Sequence, residues 1–269
     1  MSRLQVGAGA REALAGPGPG TVVAVYRRAA YLRLAGGIVA LVAPDVPLGP
    51  LWIRADPAPG LGLRLHAPVT VGDQWLEVAG VRLPFAGAVT WLGPLPDPDR
   101  LRTADRLALD VLTTAPRSPL LDGPWRPALR EAESALRGGD LRRVAAVLGG
   151  LGPGLTPAGD DALAGILLAR RAVAGAGAEP ELRAAARTAV TTDLSSALLA
   201  WAARGQAVEP VHDLLIALAA GNRAAAVTAI SRIASLGASS GADLLLGLRL
   251  GLGLSPETDS LRELRIALQ

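Results

Sequence analysis

The run Leu92-Gly93-Pro94-Leu95-Pro96-Asp97-Pro98-Asp99-Arg100 decides how this chain is organised. Its three prolines each lack a backbone N–H and fix φ, so the run interrupts regular structure and reads as a hinge or linker. Before it, short apolar stretches alternate with turn residues. Thr21–Tyr26, Ala30–Leu34, Gly37–Val42, Leu51–Ile53, Val69–Val71, Trp75–Val78 and Val81–Leu83 read as strands, with tight turns at Ala35-Gly36-Gly37 and Ala79-Gly80. Trp52, Trp75 and Trp91 are expected in the core of this part. After it, the apolar period changes to three and four residues. Helices are expected over Leu101–Ala115, Pro127–Arg137, Asp140–Leu148, Pro157–Gly175, Glu179–Arg204, Pro210–Ala220, Arg223–Leu236, Gly241–Leu252 and Thr258–Leu268. The expected fold class is therefore α+β: an N-terminal antiparallel β sheet or small barrel over residues 1–95, then an α-helical C-terminal unit over residues 96–269.

Composition narrows the chemistry. The 269 residues contain no cysteine, which removes disulfides, thiol nucleophiles and thiolate metal sites. No lysine occurs either, so all 27 basic residues are arginines, and Schiff-base chemistry and Walker-type phosphate loops are excluded. Those arginines are interspersed with 24 carboxylates, and only 3% of residues are aromatic, so no basic stripe or stacking platform for nucleic acid is expected. Apolar runs such as Ala162–Ala169 and Leu244–Leu248 end at arginines, short of the ~18 residues that a membrane span needs. Without a recognisable secretory signal at Met1-Ser2-Arg3-Leu4-Gln5, a cytoplasmic location is expected. The two histidines, His66 and His212, have no metal-ligand spacing, and His212 is expected as a capping or surface residue.

The densest local signal is Gly149-Gly150-Leu151-Gly152-Pro153-Gly154-Leu155-Thr156-Pro157-Ala158-Gly159-Asp160-Asp161. Thr156 before Pro157 reads as a helix start, with Thr156 as N-cap. The glycines Gly152, Gly154 and Gly159 allow backbone amides to approach an anion at the positive end of that helix. Asp160 and Asp161 in the first turn need a cationic or amide partner, met by a Mg²⁺ shared with a phosphate or by the NH₂ of a carbamoyl or ureido group. Simple turn-making and capping account for the same residues without any ligand. A weaker copy, Ser239-Ser240-Gly241-Ala242-Asp243-Leu244-Leu245-Leu246-Gly247, shares Gly-x-Asp-x-Leu-x-Gly with Gly159–Gly165. If both helix starts face one pocket, Asp161 and Asp243 come together with the hydroxyls of Ser239 and Ser240; otherwise Gly165 and Gly247 serve close helix packing. Thr191-Thr192-Asp193-Leu194-Ser195-Ser196 brings Thr192 and Ser195 to one helical face, which also fits ordinary capping.

Four segments carry a family resemblance: Gly152–Asp161, Thr191–Ser195, Ala203-Arg204-Gly205 with Glu209-Pro210, and Ser239–Asp243. Together they resemble the AllH-like family, typified by a subunit of the oxamate carbamoyltransferase of allantoin catabolism in purine degradation. The resemblance implies an oligomeric complex with FdrA-like and AllG-like subunits, and transfer of a carbamoyl group between a ureido acid such as oxalurate and phosphate. On that reading Asp160 and Asp161 are the catalytic candidates. Gly152, Gly154, Thr156, Gly159, Thr192, Ser195, Ser239, Ser240, Gly241 and Asp243 are then the substrate-binding candidates. Magnesium, if any, would sit at Asp160, Asp161 and Asp243. Two other readings fit the same residues. One is a Mg²⁺-dependent nucleotide- or phosphate-binding phosphotransferase or hydrolase, for the clustered aspartates also resemble kinases of the dihydroxyacetone type. The other is a non-catalytic regulator that binds a small anion.

Overall fold

The computed structural model describes residues 4–55, 63–104 and 109–254. The chain divides into two compact units, Met1–Gly93 and Pro94–Gln269.

The first unit is one nine-stranded sheet. Its strands are β1 (Gln5–Gly7), β2 (Gly18–Val25), β3 (Ala29–Leu34), β4 (Gly37–Val42), β5 (Trp52–Arg54), β6 (Pro68–Gly72), β7 (Trp75–Val78), β8 (Val81–Pro84) and β9 (Val89–Trp91), with helix α1 (Ala8–Ala13) after the first. The spatial order is β8-β7-β6-β2-β3-β4-β5-β1-β9. Alternating residues of β3, β6 and β7 point into a core of Val22, Leu32, Val39, Leu41, Val69, Val71, Leu76 and Val78. The antiparallel expectation holds from β8 through β4 and then needs correction. β4 pairs with β5, and β1 with β9, in parallel, so the sheet is mixed. The nine residues between β4 and β5 give the chain room to return in the same direction. Of the three tryptophans expected in this core, Trp52 is buried, whereas Trp75 is half-exposed under the Arg82 guanidinium, 4.0 Å from its ring centre, and Trp91 is half-buried.

In the second unit Pro98 occupies the first turn of α2 (Pro98–Arg102), where its missing N–H costs nothing, and Asp97 caps the helix by accepting the Asp99 N–H. The prolines therefore start a helix as well as ending the strands. The expected helix over Leu101–Ala115 is instead α2 and a 3₁₀ turn at Asp110–Thr114, with residues 105–108 outside the described chain. The expected helix Thr258–Leu268 also lies outside it. The remaining helices are α3 (Arg126–Arg137), α4 (Leu141–Leu148), α5 (Ala158–Ala174), α6 (Glu179–Ala186), α7 (Asp193–Ala203), α8 (Glu209–Ala219), α9 (Arg223–Ala234) and α10 (Ser240–Gly251). The single helix expected over Glu179–Arg204 breaks into α6 and α7. Thr192 there takes an extended conformation and accepts the Ser195 N–H, so a new helix begins.

Two three-helix segments within this unit repeat one another. The turn between α3 and α4 is closed by bonds from Gly139 N to Leu136 O (3.2 Å) and Asp140 N to Ala135 O (2.9 Å). The turn between α8 and α9 has the same bonds, Gly221 N to Leu218 O (3.1 Å) and Asn222 N to Ala217 O (2.9 Å). Gly139 and Gly221 both adopt positive φ, at 78° and 64°. Asp140 and Asn222 both cap the following helix, accepting from Arg143 N and Ala225 N. At the next junction Gly159 N donates to Leu151 O, and Gly241 N to Leu236 O. The helices α3-α4-α5 and α8-α9-α10 are thus one device built twice.

The two copies meet along α5 and α10. A β-carbon on Gly165 would strike the Leu244 carbonyl oxygen, and one on Gly247 would strike that of Ala162. Positions 162 and 244, like 165 and 247, correspond in the repeated motif, so the crossing is reciprocal in the manner of a two-fold contact. Further along, Gly251 packs on Ile166 and Ala169. Contacts advance in the same direction on both helices, which therefore run parallel with their N-terminal ends side by side.

Candidate functional site

The first-turn carboxyls of the two copies, Asp161 and Asp243, lie at these adjoining helix starts. Asp243 is completely buried. Its Oδ1 accepts the hydroxyl of Ser118 at 2.5 Å, while its Oδ2 is buried with no hydrogen-bond partner. Burial is the largest influence and raises its pKa, against the lowering effects of the Ser118 and Ser239 hydroxyls. Asp161 is half-buried, and its Oδ2 is likewise buried without a partner. Burial pushes the Asp161 carboxyl up to about 8. The Ser240 hydroxyl opposes that shift, the charges of Asp243 and then Asp160 reinforce it, and the Thr156 hydroxyl opposes it weakly. Two helix N-termini, each equivalent to roughly half a positive charge, favour carboxylates here, yet desolvation outweighs them. At neutral pH Asp161 is therefore largely a neutral acid.

The hydroxyls complete the cluster. Thr156 Oγ1 and Ser240 Oγ lie 3.4 Å apart, joining the glycine loop before α5 to the start of α10. Thr156 was expected to be the N-cap of α5; instead Pro157 holds that position and its carbonyl accepts the N–H groups of Asp160 and Asp161. Because proline has no side-chain acceptor, the Thr156 hydroxyl is left to face Ser240. Ser239 occupies the N-cap position of α10 without capping it, and its hydroxyl acts on Asp243. Thr156, Ser239 and Ser240 are partly exposed, so the cluster reaches the surface.

Asp160, adjacent in sequence, does something different. One residue turns a helix by about 100°, which directs its side chain away from α10. Its Oδ1 accepts the Gly150 N–H at 2.8 Å and its Oδ2 accepts the Thr191 hydroxyl. Both oxygens are occupied in tying the glycine loop to the segment before α7. Thr192 and Ser195 serve the same end: their hydroxyls donate to Leu155 O at 2.7 and 3.3 Å, so the loop containing Gly152 and Gly154 is pinned from one side. Gly152 and Gly154 have positive φ (113° and 101°), and Gly159 and Gly241 lie where a side chain would collide with the end of the preceding helix, at Leu148 and Ile233. Removing the brace with Asp160→Ala leaves the Gly150 N–H and the Thr191 hydroxyl without their acceptor. A loss of about 2 kcal/mol is expected in urea denaturation.

Ser118 has no local signature. It stands 125 positions before Asp243, and it is marked in the sequence only as a residue preceding Pro119, where it caps a 3₁₀ turn by accepting the Leu120 N–H. His212 is fully buried, not a surface residue. Its Nε2 accepts from Ala207 N–H (3.1 Å), which leaves Nδ1–H to donate to Pro94 O (3.0 Å), and burial lowers its pKa, so it is a neutral structural link. Among the described residues no group of three or more His, Cys, Asp or Glu side chains could hold a metal ion, so the magnesium considered at Asp160, Asp161 and Asp243 gains no support from the geometry. Nor, among those residues, is any helix long and apolar enough to cross a membrane.

These features define an α+β protein whose helical unit joins two copies of a helix start around a carboxyl pair and its hydroxyls. Residues 148–252 match the family model described as oxamate carbamoyltransferase subunit AllH, and over this span the chain is similar to that family. The span takes in both glycine-aspartate motifs. No solved structure matches the chain.

Proposed function

We propose that this protein is a subunit of a carbamoyltransferase-type complex of the oxamate kind, and that the Asp161–Asp243 cluster is the place where it meets a small carbamoyl- or phosphate-bearing ligand. The observation that carries this reading is the family match over 148–252, which covers both helix starts together. The electrostatics are consistent with it, because a neutral acid, a second buried carboxyl and several hydroxyls supply donors and acceptors suited to a small polar molecule. FdrA-like and AllG-like subunits are the partners to test, in the cytoplasm. Asp160 acts in this scheme as a positioning residue for the loop, not as a catalytic one.

The test is co-expression with those partner subunits, followed by an assay of carbamoyl phosphate and oxamate interconversion. Assembly is expected, with Asp243→Asn lowering turnover at least tenfold while the complex still forms. A chain that neither joins the partners nor alters their turnover overturns the reading.

A further inference from the structure

Two carboxyl oxygens at the joined helix starts, Asp161 Oδ2 and Asp243 Oδ2, are shielded from water yet make no hydrogen bond. Buried polar atoms are nearly always paired, and each one left unpaired costs roughly 1–3 kcal/mol. Their arrangement follows from the duplication. The motif positions correspond, the glycine crossing is reciprocal, and so the two carboxyls sit as counterparts on either side of one helix contact. Asp243 is nine-tenths buried and more, held from one side by Ser118, with its second oxygen unspent.

We infer that this carboxyl pair is a receptor for a primary carboxamide group, with Asp161 donating a proton to the amide carbonyl and Asp243 Oδ2 accepting an N–H of the amide nitrogen. The inference deepens the function proposed above and rests on its assignment of the ligand site. Three ligand classes compete for such a place, and the chemistry separates them. A metal held by the protein alone is not favoured, for the described residues include no group of three or more His, Cys, Asp or Glu side chains placed to hold one. A phosphate brings negative charge toward two carboxyls, and one amide of the glycine loop, Gly150 N–H, is already given to Asp160. A primary amide has one acceptor and two donors, and two counterpart carboxyls holding one proton between them present the complementary donor and acceptor. The Asp243 charge opposes ionisation of Asp161, which helps to keep such a proton in place.

The full-length chain should be titrated calorimetrically with oxamate, with N,N-dimethyloxamate and with inorganic phosphate. Oxamate is expected to bind, its dimethyl derivative to bind at least tenfold more weakly, and phosphate not to compete. The two variants should behave unequally. Asp161→Asn retains a donor in place of the acid and should keep oxamate affinity within about threefold, whereas Asp243→Asn sets a donor against the amide nitrogen and should lower affinity at least tenfold. Near-UV and far-UV circular dichroism on each variant checks that the fold is retained. Phosphate binding without oxamate binding, equal affinity for the dimethyl derivative, equal effects of the two variants, or no binding at all overturns the inference. Because calorimetry needs no partner subunit, oxamate binding without assembly or turnover would defeat the proposed function and leave this inference standing.

Discussion

Gly247→Ala is expected to remove at least about 3 kcal/mol of stability, enough to bring a protein of ordinary stability near its unfolding threshold. The added β-carbon would lie well inside contact distance of the Ala162 carbonyl oxygen, which is fixed within α5. A side-chain neighbour can rotate aside; a helical backbone does not, so α5 and α10 must separate. That separation strips contacts from Leu163, Ile166, Leu246 and Leu250, which are buried in the core beside the crossing. The reciprocal change, Gly165→Ala, meets Leu244 in the same way and should have a similar effect. The two together should cost less than their sum, because once the helices part the second β-carbon finds space. Urea denaturation of both single variants and the double one checks this, and a loss below about 1 kcal/mol for Gly247→Ala would contradict the close crossing.

The second large effect is a pH dependence. The Asp161 carboxyl stays protonated up to about pH 8 in the folded protein, whereas an unfolded aspartate loses its proton near 3.9. Stability contributed by the native proton is therefore complete below about pH 4 and is lost as pH rises through about 8. An asparagine side chain at this position has no proton to lose and carries no such penalty. Asp161→Asn should therefore match the parent near pH 4 and exceed it by about 2 kcal/mol at pH 8, a figure limited by the partial exposure of the group. Thermal melts from pH 4 to 9 measure it. A variant less stable than the parent at pH 8 would mean that Asp161 is a well-solvated anion.

The stability optimum and the ligand site thus draw on the same residue. Burying two carboxyls is costly, and neither is spent on capping, since Pro157 and Ser239 hold the N-cap positions. The retained cost is a reason to regard the pair as functional, in contrast to Asp160, whose two bonds give it a complete structural account.

Much of the fold was legible because its signals are local. Gly37–Val42 and Trp75–Val78 are strands at their expected bounds, since β-branched and aromatic runs end at glycine turns. β1 and β9 were not visible, as three residues show no alternation, and their parallel pairing depends on contacts more than eighty positions apart. In the helical part, α5 and α10 begin within a residue of expectation, and the shared Gly-x-Asp-x-Leu-x-Gly announced a relation between them. What the motif could not announce was the division of labour between Asp160 and Asp161. Two identical neighbours differ only by the roughly 100° that separates them around the helix, and that angle acquires meaning once α10 is in place. Ser118 was invisible for a related reason, since its role exists only through a partner 125 residues away.

Asp161 and Asp243 influence one another across the paired helix starts. Carboxyl ¹³C titration of aspartate-labelled protein, in the parent and in Asp243→Asn, addresses this directly. The Asp161 resonance is expected to titrate near 8 in the parent and at a lower pH, still above the usual carboxylate range because burial is the larger cause, once the Asp243 charge is gone. An Asp161 that titrates near 4 in both proteins, or at the same elevated pH in both, would contradict it.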